Sequence, residues 1–346
     1  MRNALFASAL SASMLAACST PGIKYEARIM PDNLDAAATR SVAVEPFSGP
    51  GGGWYTRQFE TMLANTLFDG KPWFSLAAYT NSDPALRSGI YAGNIDIVDY
   101  SAWEDIRTVK KCVEWDGPFD CETRAEVEEI CFHEEVRVSV DPRLIEIGTG
   151  DILFSDRYYG NASRSACEDL GLVGDSKKRK RKRARRASRA FYADASRDLM
   201  IDALSDTLKP IRRDIAPRNA IVKAKFMTDP LDPVVKADVR FEQAIEMSRK
   251  DPATSCALWD SLSVTYPSSP AVIYNNGACA EASQQFNIAQ ERYAEAAQLS
   301  LAFSKDGQTV AKPIQKALTN VSSQRFDLQV LNELTGEIAA DQDTIG

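Results

Sequence analysis

Apolar and polar positions along the chain alternate with a period near two over its first half and with a helical period over its second. Residues 41–47 (SVAVEPF) are short and rich in β-branched types, which predicts a strand. Gly49-Pro-Gly-Gly-Gly53 breaks the chain, and Phe59, Met62, Leu63, Thr66 and Leu67 then recur at helical spacing through 54–68. Residues 73–78 and 89–100 read as further strands, the second alternating imperfectly through Ile90, Ala92, Ile95, Ile97 and Val98. From 107 to 162 the pattern is β-rich, with runs at 135–140 and 151–159 joined by a turn at Gly148-Thr-Gly-Asp151. Residues 190–215 predict an amphipathic helix with Phe191, Ala195, Leu199, Ala203, Leu204, Leu208 and Ile211 on one side, ended by Pro217. From Pro230 onward only helical spacing remains, and 311–318 with 326–338 predict a closing helical pair. The expected fold class is α+β: a mixed α/β domain, a sheet with a few packing helices, over 40–217, a linker over 218–235, and an all-α domain over 236–340.

The first residues carry a different pattern. Arg2 is a positive start, and residues 4–17 form a small-residue apolar stretch too short for a bilayer core, which needs about 20 residues. This predicts a secretory signal over 1–17. Leu15-Ala16-Ala17-Cys18 resembles the bacterial lipobox. The resemblance implies cleavage before Cys18, a diacylglycerol thioether on its sulfur and an acylated amine, a stable anchor with two or more chains. Ser19 stands where inner-membrane lipoproteins carry Asp, so the expected location is the periplasmic face of the outer membrane, with residues 18–39 as a tether.

Six further cysteines, an even number, suit a disulfide framework in an oxidising compartment. Fifteen pairings are open; the sequential set Cys112–Cys121, Cys131–Cys167 and Cys256–Cys279 is expected, the last joining two neighbouring helices. There is no CxxC, which argues against a thioredoxin-like redox site or a zinc ribbon.

Net charge changes the picture by its distribution. Lys177, Lys178, Arg179, Lys180, Arg181, Lys182, Arg183, Arg185, Arg186 and Arg189 crowd one run; without them 31 basic residues face 48 acidic ones. An acidic body thus carries one basic arm, expected as a loop over 176–189. Its candidate partners are anionic lipid head groups or the acidic face of another protein, and secretion excludes nucleic acid.

Catalytic constellations are hard to assemble. His133 is the only histidine, and HExxH fails because Arg137 stands at the last position. Gly49–Gly53 lacks the GK[ST] or third glycine that phosphate loops use, so it reads as a tight turn. Acidic pairs such as Glu128-Glu129 and Glu134-Glu135 are what any acidic surface carries. No enzyme, cofactor or metal is expected.

Two resemblances carry the functional expectation. Residues 41–49 (SVAVEPFSG), 143–167 (RLIEIGTGDILFSDRYYGNASRSAC) and the closing helix to Pro217 are similar to the curli-secretion lipoprotein fold, which outer-membrane activators of penicillin-binding proteins share. Tyr274, Gly277, Ala289, Tyr293 and Ala296, with Ser255, Trp259, Leu262 and Pro267 one 34-residue period earlier, resemble two tetratricopeptide repeats over 236–303. Such repeats offer a groove, here near Trp259, Tyr274, Asn275, Asn276 and Tyr293. Together they imply a non-catalytic, outer-membrane lipoprotein that docks periplasmic or outer-membrane proteins in envelope biogenesis. The alternatives are a subunit of a curli-type oligomeric secretion complex, hence a homo-oligomer, and a periplasmic hydrolase. Residues 103–137 are charged on both faces, which argues against a membrane barrel.

Overall fold

The computed structural model describes residues 20–76, 88–117, 120–193, 195–302 and 308–336. The fold is mixed α/β with ten helices among the described residues, and these divide into two compact units. One contains described residues between 29 and 219; the other contains residues 20–28 and described residues between 220 and 333. The first strand, β1 (Gly22–Ile29), pairs with the last, so it belongs with the second unit.

The first unit continues with α1 (Leu34–Ala38), β2 (Ser41–Val44), α2 (Gly52–Ala64), the short strands β3 (Leu67–Phe68), β4 (Lys71–Pro72) and β5 (Ser75–Leu76), and then β6 (Ser88–Trp115), β7 (Cys121–Glu146), β8 (Ile152–Ser155) and β9 (Tyr158–Leu172). Two helices, α3 (Lys177–Ala193) and α4 (Ala195–Ile215), close it. The main sheet is mixed: β2 lies parallel to β5 and β6, while β7 runs antiparallel to β6, β8 and β9. Tyr55, Phe59 and Leu63 of α2, spaced by four, are fully buried, and Phe47, Phe59 and Tyr91 meet with ring centroids 5.1–5.2 Å apart. The tight turn before α2 needs its glycines. A side chain on Gly52 would reach 2.1 Å from the Phe47 carbonyl oxygen, and Gly51 caps the helix with φ +73°.

β6 and β7 are 28 and 26 residues long, several times the usual strand. Sequence alternation ends the third strand near Tyr100, but the hairpin continues to Trp115 through a stretch charged on both faces. Cross-strand partners account for it. Glu129 on β7 accepts from Arg107 at 3.0 Å and pairs with Lys111, which also reaches Asp169 on β9 at 2.6 Å. Lys111 and then Arg107 hold the Glu129 carboxyl below its ordinary range, so this clasp is complete at neutral pH and weakens as acid protonates it. Cys112–Cys121 closes the hairpin near its turn, and Cys131–Cys167 joins directly opposed residues of β7 and β9.

The second unit contains β1, β10 (Arg218–Lys225), α5 (Pro233–Lys236), α6 (Val239–Lys250), α7 (Pro252–Thr265), α8 (Pro270–Ala282), α9 (Phe286–Ser300) and α10 (Gln308–Thr335). Its helices begin where the local chemistry dictates. Asp232, Asp238 and Asp251 cap α5, α6 and α7 through their carboxylates, and proline occupies the first turn of α5, α7 and α8. Consecutive helices pack against each other from α6 to α9, and Cys256–Cys279 links α7 to α8.

The Asp238 cap yields a test. Its carboxylate takes the Arg240 backbone N–H at 2.9 Å, the Arg240 guanidinium at 2.6 Å and the Tyr266 hydroxyl at 3.1 Å. The guanidinium, first, and these other donors push its pKa down to about 2. A depressed carboxyl stabilises the fold above its unfolded value and loses that contribution as pH falls through its folded value. Asp238→Ala is expected to cost about 1–2 kcal/mol at pH 7. The same change is expected to cost nothing once the pH is below about 2, where wild type has lost the same interaction. Denaturant unfolding at neutral and acid pH reads the difference.

Several sequence expectations are corrected. The tether over 18–39 contains β1 and α1, because the apolar positions Ile23, Tyr25 and Ala27 are buried. The linker over 218–235 contains β10 and α5. The loop over 176–189 is the helix α3. The closing helical pair is one helix, α10, with Ile314, Ala317, Val321 and Leu331 buried along it. Residues 1–19, including the signal and Cys18, and residues 337–340 lie outside the described residues.

Candidate interaction surface

Ten cations in one run oppose helix formation, since like charges four apart repel. Packing overrides this in α3. Ala184, Ala187 and Phe191, spaced as one helical stripe, lie with Tyr192 against Ile130, Phe132 and Leu170 of β7 and β9. Phe132 and Phe191 stack at 5.5 Å, and the Arg164 guanidinium covers Phe191 from 4.3 Å. Arg164 also donates to the buried Glu134 at 2.8 Å, and the Tyr100 hydroxyl donates to the same carboxylate at 2.6 Å.

Three of the ten cations have partners among the described residues, and two of them, Lys180 and Arg183, serve this docking. Lys180 is only 9% exposed; its ammonium donates to the Val173 carbonyl at 3.0 Å and pairs with Glu128 at 2.9 Å. Arg183 donates to the Leu170 carbonyl at 2.8 Å, and Arg179 lies 3.8 Å from Asp175. The other seven, Lys177, Lys178, Arg181, Lys182, Arg185, Arg186 and Arg189, are exposed and line one open groove. At about 100° per residue they occupy one half of the helix circumference, opposite the packed stripe. None has an ion-pair partner among the described residues. The result is a rigid, one-sided cationic surface.

Other sequence candidates take structural places. His133 stacks on Trp103 at 5.0 Å and bonds Asp105 at 2.6 Å. Glu129, Cys131 and Cys167 bring one oxygen and two sulfurs within 4.8 Å of one another, but both sulfurs are tied up in a disulfide and cannot serve as thiolate ligands. Trp259, Asn275 and Tyr293 are buried in the helical packing rather than lining a groove, Tyr274 is buried with only its edge on a cavity of the second unit, and the half-buried Asn276 bonds Asp260. Sequence reading missed that α3 has a packed stripe; Ala184, Ala187 and Phe191 at helical spacing were the available signal. Among the described residues, no helix is long and apolar enough to cross a membrane. The three disulfides are what a chain in an oxidising compartment forms.

No family model matches the chain, and no curated protein matches it. Among solved structures it is similar to one described as a neuraminyllactose-binding hemagglutinin homolog from Helicobacter pylori. That match is 14% identical, covers 51% of this chain and 92% of that one, and has a TM-score of 0.17. A likeness at that score carries no argument about this chain.

Proposed function

We propose that the chain is a non-catalytic, periplasm-facing outer-membrane lipoprotein that docks other proteins during envelope biogenesis. The exposed face of α3 is the docking surface, and its occupant is an acidic protein. The observation that carries this reading is the set of seven unpaired cations held on a helix whose opposite face is already packed. Because the helix is pre-formed, a partner need not supply the cost of ordering it. A helix that lies in a membrane interface buries an apolar face in lipid; α3 has its apolar stripe against β7 and β9, which favours a protein occupant over a bilayer. The lipobox at Cys18 and the similarity of residues 40–217 to the curli-secretion lipoprotein fold support the location and pathway. The paired helices α6 to α9 support a tetratricopeptide-like second unit.

A second reading, a subunit of an oligomeric secretion complex, is favoured by the outer edge of β6. From Asp96 to Trp115 it has no strand partner on that side among the described residues, and Tyr100, Trp103, Ile106 and Trp115 are exposed there.

One experiment addresses both. The tagged, lipidated chain is crosslinked in cells beside a variant with all seven exposed α3 cations changed to glutamine, which keeps helix propensity. Deleting 177–189 would instead strip packing from the sheet. An acidic protein is expected on the wild type, and once purified it should bind at least about tenfold less tightly to the variant and lose affinity with added salt. Equal binding to both sinks the α3 reading, and recovery of a second copy of this chain moves weight to the oligomeric one.

A further inference from the structure

The second unit contains a cavity of about 390 Å³, between the end of β10 and the helices α8 and α10. Its walls are of two kinds. Lys223, Lys225 and Lys316 supply cations, while Phe226, Met227 and Tyr274 supply apolar surface. Glu281 lies at the lining but is 6% exposed, with its two oxygens taken by the Tyr25 hydroxyl at 2.9 Å and the Tyr293 hydroxyl at 2.5 Å. Burial pushes the Glu281 carboxyl up, and the two tyrosine donors pull it back in part. Lys223 donates to the Thr20 carbonyl; burial, then its neighbours Arg249, Lys24 and Lys225, lower its pKa. Neither Lys225 nor Lys316 has an ion-pair partner among the described residues. The cavity is therefore a crowd of cations over an apolar wall with one open acidic group, Asp229.

We propose that this cavity binds an organic phosphate, its lysines holding the phosphate oxygens and Phe226, Met227 and Tyr274 covering the carbon substituent. The volume falls in the range of small-molecule sites and exceeds what inorganic phosphate fills. Thr20 lines the cavity, and only Ser19 stands between it and Cys18, a span of at most about 7 Å of chain. On the lipoprotein reading, with which this part stands or falls, that spacing sets the cavity at the level of phospholipid head groups. The source of the phosphate is then the glycerophosphate of a membrane lipid rather than free phosphate.

The test separates the two parts. The purified full chain is titrated calorimetrically with glycerophosphoglycerol, a water-soluble phospholipid head group without acyl chains, and separately with inorganic phosphate. Glycerophosphoglycerol is expected to bind at least about tenfold tighter than inorganic phosphate. A Lys223→Gln/Lys225→Gln/Lys316→Gln variant, shown to be folded by an unchanged thermal transition, is expected to bind it at least about tenfold more weakly. Equal affinity for inorganic phosphate overturns the lipid source. No binding by wild type, or equal binding by wild type and variant, overturns the site. The mass of the mature N-terminal peptide reads acylation of Cys18 independently, so failure of the anchor and failure of the cavity are told apart.

Discussion

Phe132→Ala is expected to destabilise the first unit by about 3–5 kcal/mol and to release α3 from the sheet. Phe132 is fully buried and is the ring that Phe191 stacks on and Tyr192 meets edge-on at 6.1 Å. Removing it leaves a cavity under the apolar contacts that offset repulsion among ten neighbouring cations. Without those contacts the charge density of α3 favours an open chain, so the helix and the one-sided surface should be lost together. Hydrogen exchange read by mass spectrometry over 177–193, beside thermal unfolding, measures both effects. Phe132→Leu, which keeps most of the volume, should cost about 1 kcal/mol and leave α3 protected. If α3 stays protected in Phe132→Ala, its helix does not depend on that packing. The pre-organised docking surface then needs another explanation.

Trp259→Ala is expected to cost the second unit a similar amount, about 3–5 kcal/mol. Trp259 is fully buried on α7, edge-on to Phe226 at 5.5 Å and to Phe241 at 5.0 Å. It joins the end of the β1–β10 ribbon to α6 and α7 and is the largest fully buried side chain described. Its indole N–H faces no acceptor among the described residues. Trp259→Phe therefore removes an unsatisfied donor together with part of the packing, and the two effects oppose each other. That variant should cost no more than about 1–2 kcal/mol, well below alanine. Urea unfolding of the three proteins tests the order. Equal losses in the two variants would mean that the indole N–H is bonded and contributes.

How much of this was legible in the sequence differs by element. Helix starts in the second unit were legible because Asp-Pro and Ser-Pro pairs act locally: the carboxylate caps the free N–H groups and proline fits the first turn. The stripe of α2 was legible from Phe59 and Leu63 at helical spacing. The parity and order of the cysteines pointed to the three bridges, since the members of each pair sit on neighbouring elements. The distal hairpin was not legible. Its charges look like solvated loop until Glu129 is set opposite Arg107 and beside Lys111, and that register depends on residues more than fifteen positions apart. β1 was not legible either, because its partner β10 lies nearly two hundred residues away.

The same division runs through the candidate surfaces. By itself the sequence determined that an acidic chain carries ten cations in one run and that its cysteines beyond Cys18 are even in number. Charge and parity are sums over residues, and no fold is needed to read them. Only the tertiary structure decided which cations are spent. Packing on Ile130, Phe132 and Leu170 orients the helix, turns Lys180 and Arg183 toward groups of β7 and β9, leaves the exposed Arg179 with Asp175 ahead of its own helix, and leaves the other seven without a partner among the described residues. It likewise brought Lys223, Lys225 and Lys316 around one cavity from two elements about ninety residues apart. Side-chain direction is set by the surface an element packs on, and that surface is built from distant parts of the chain.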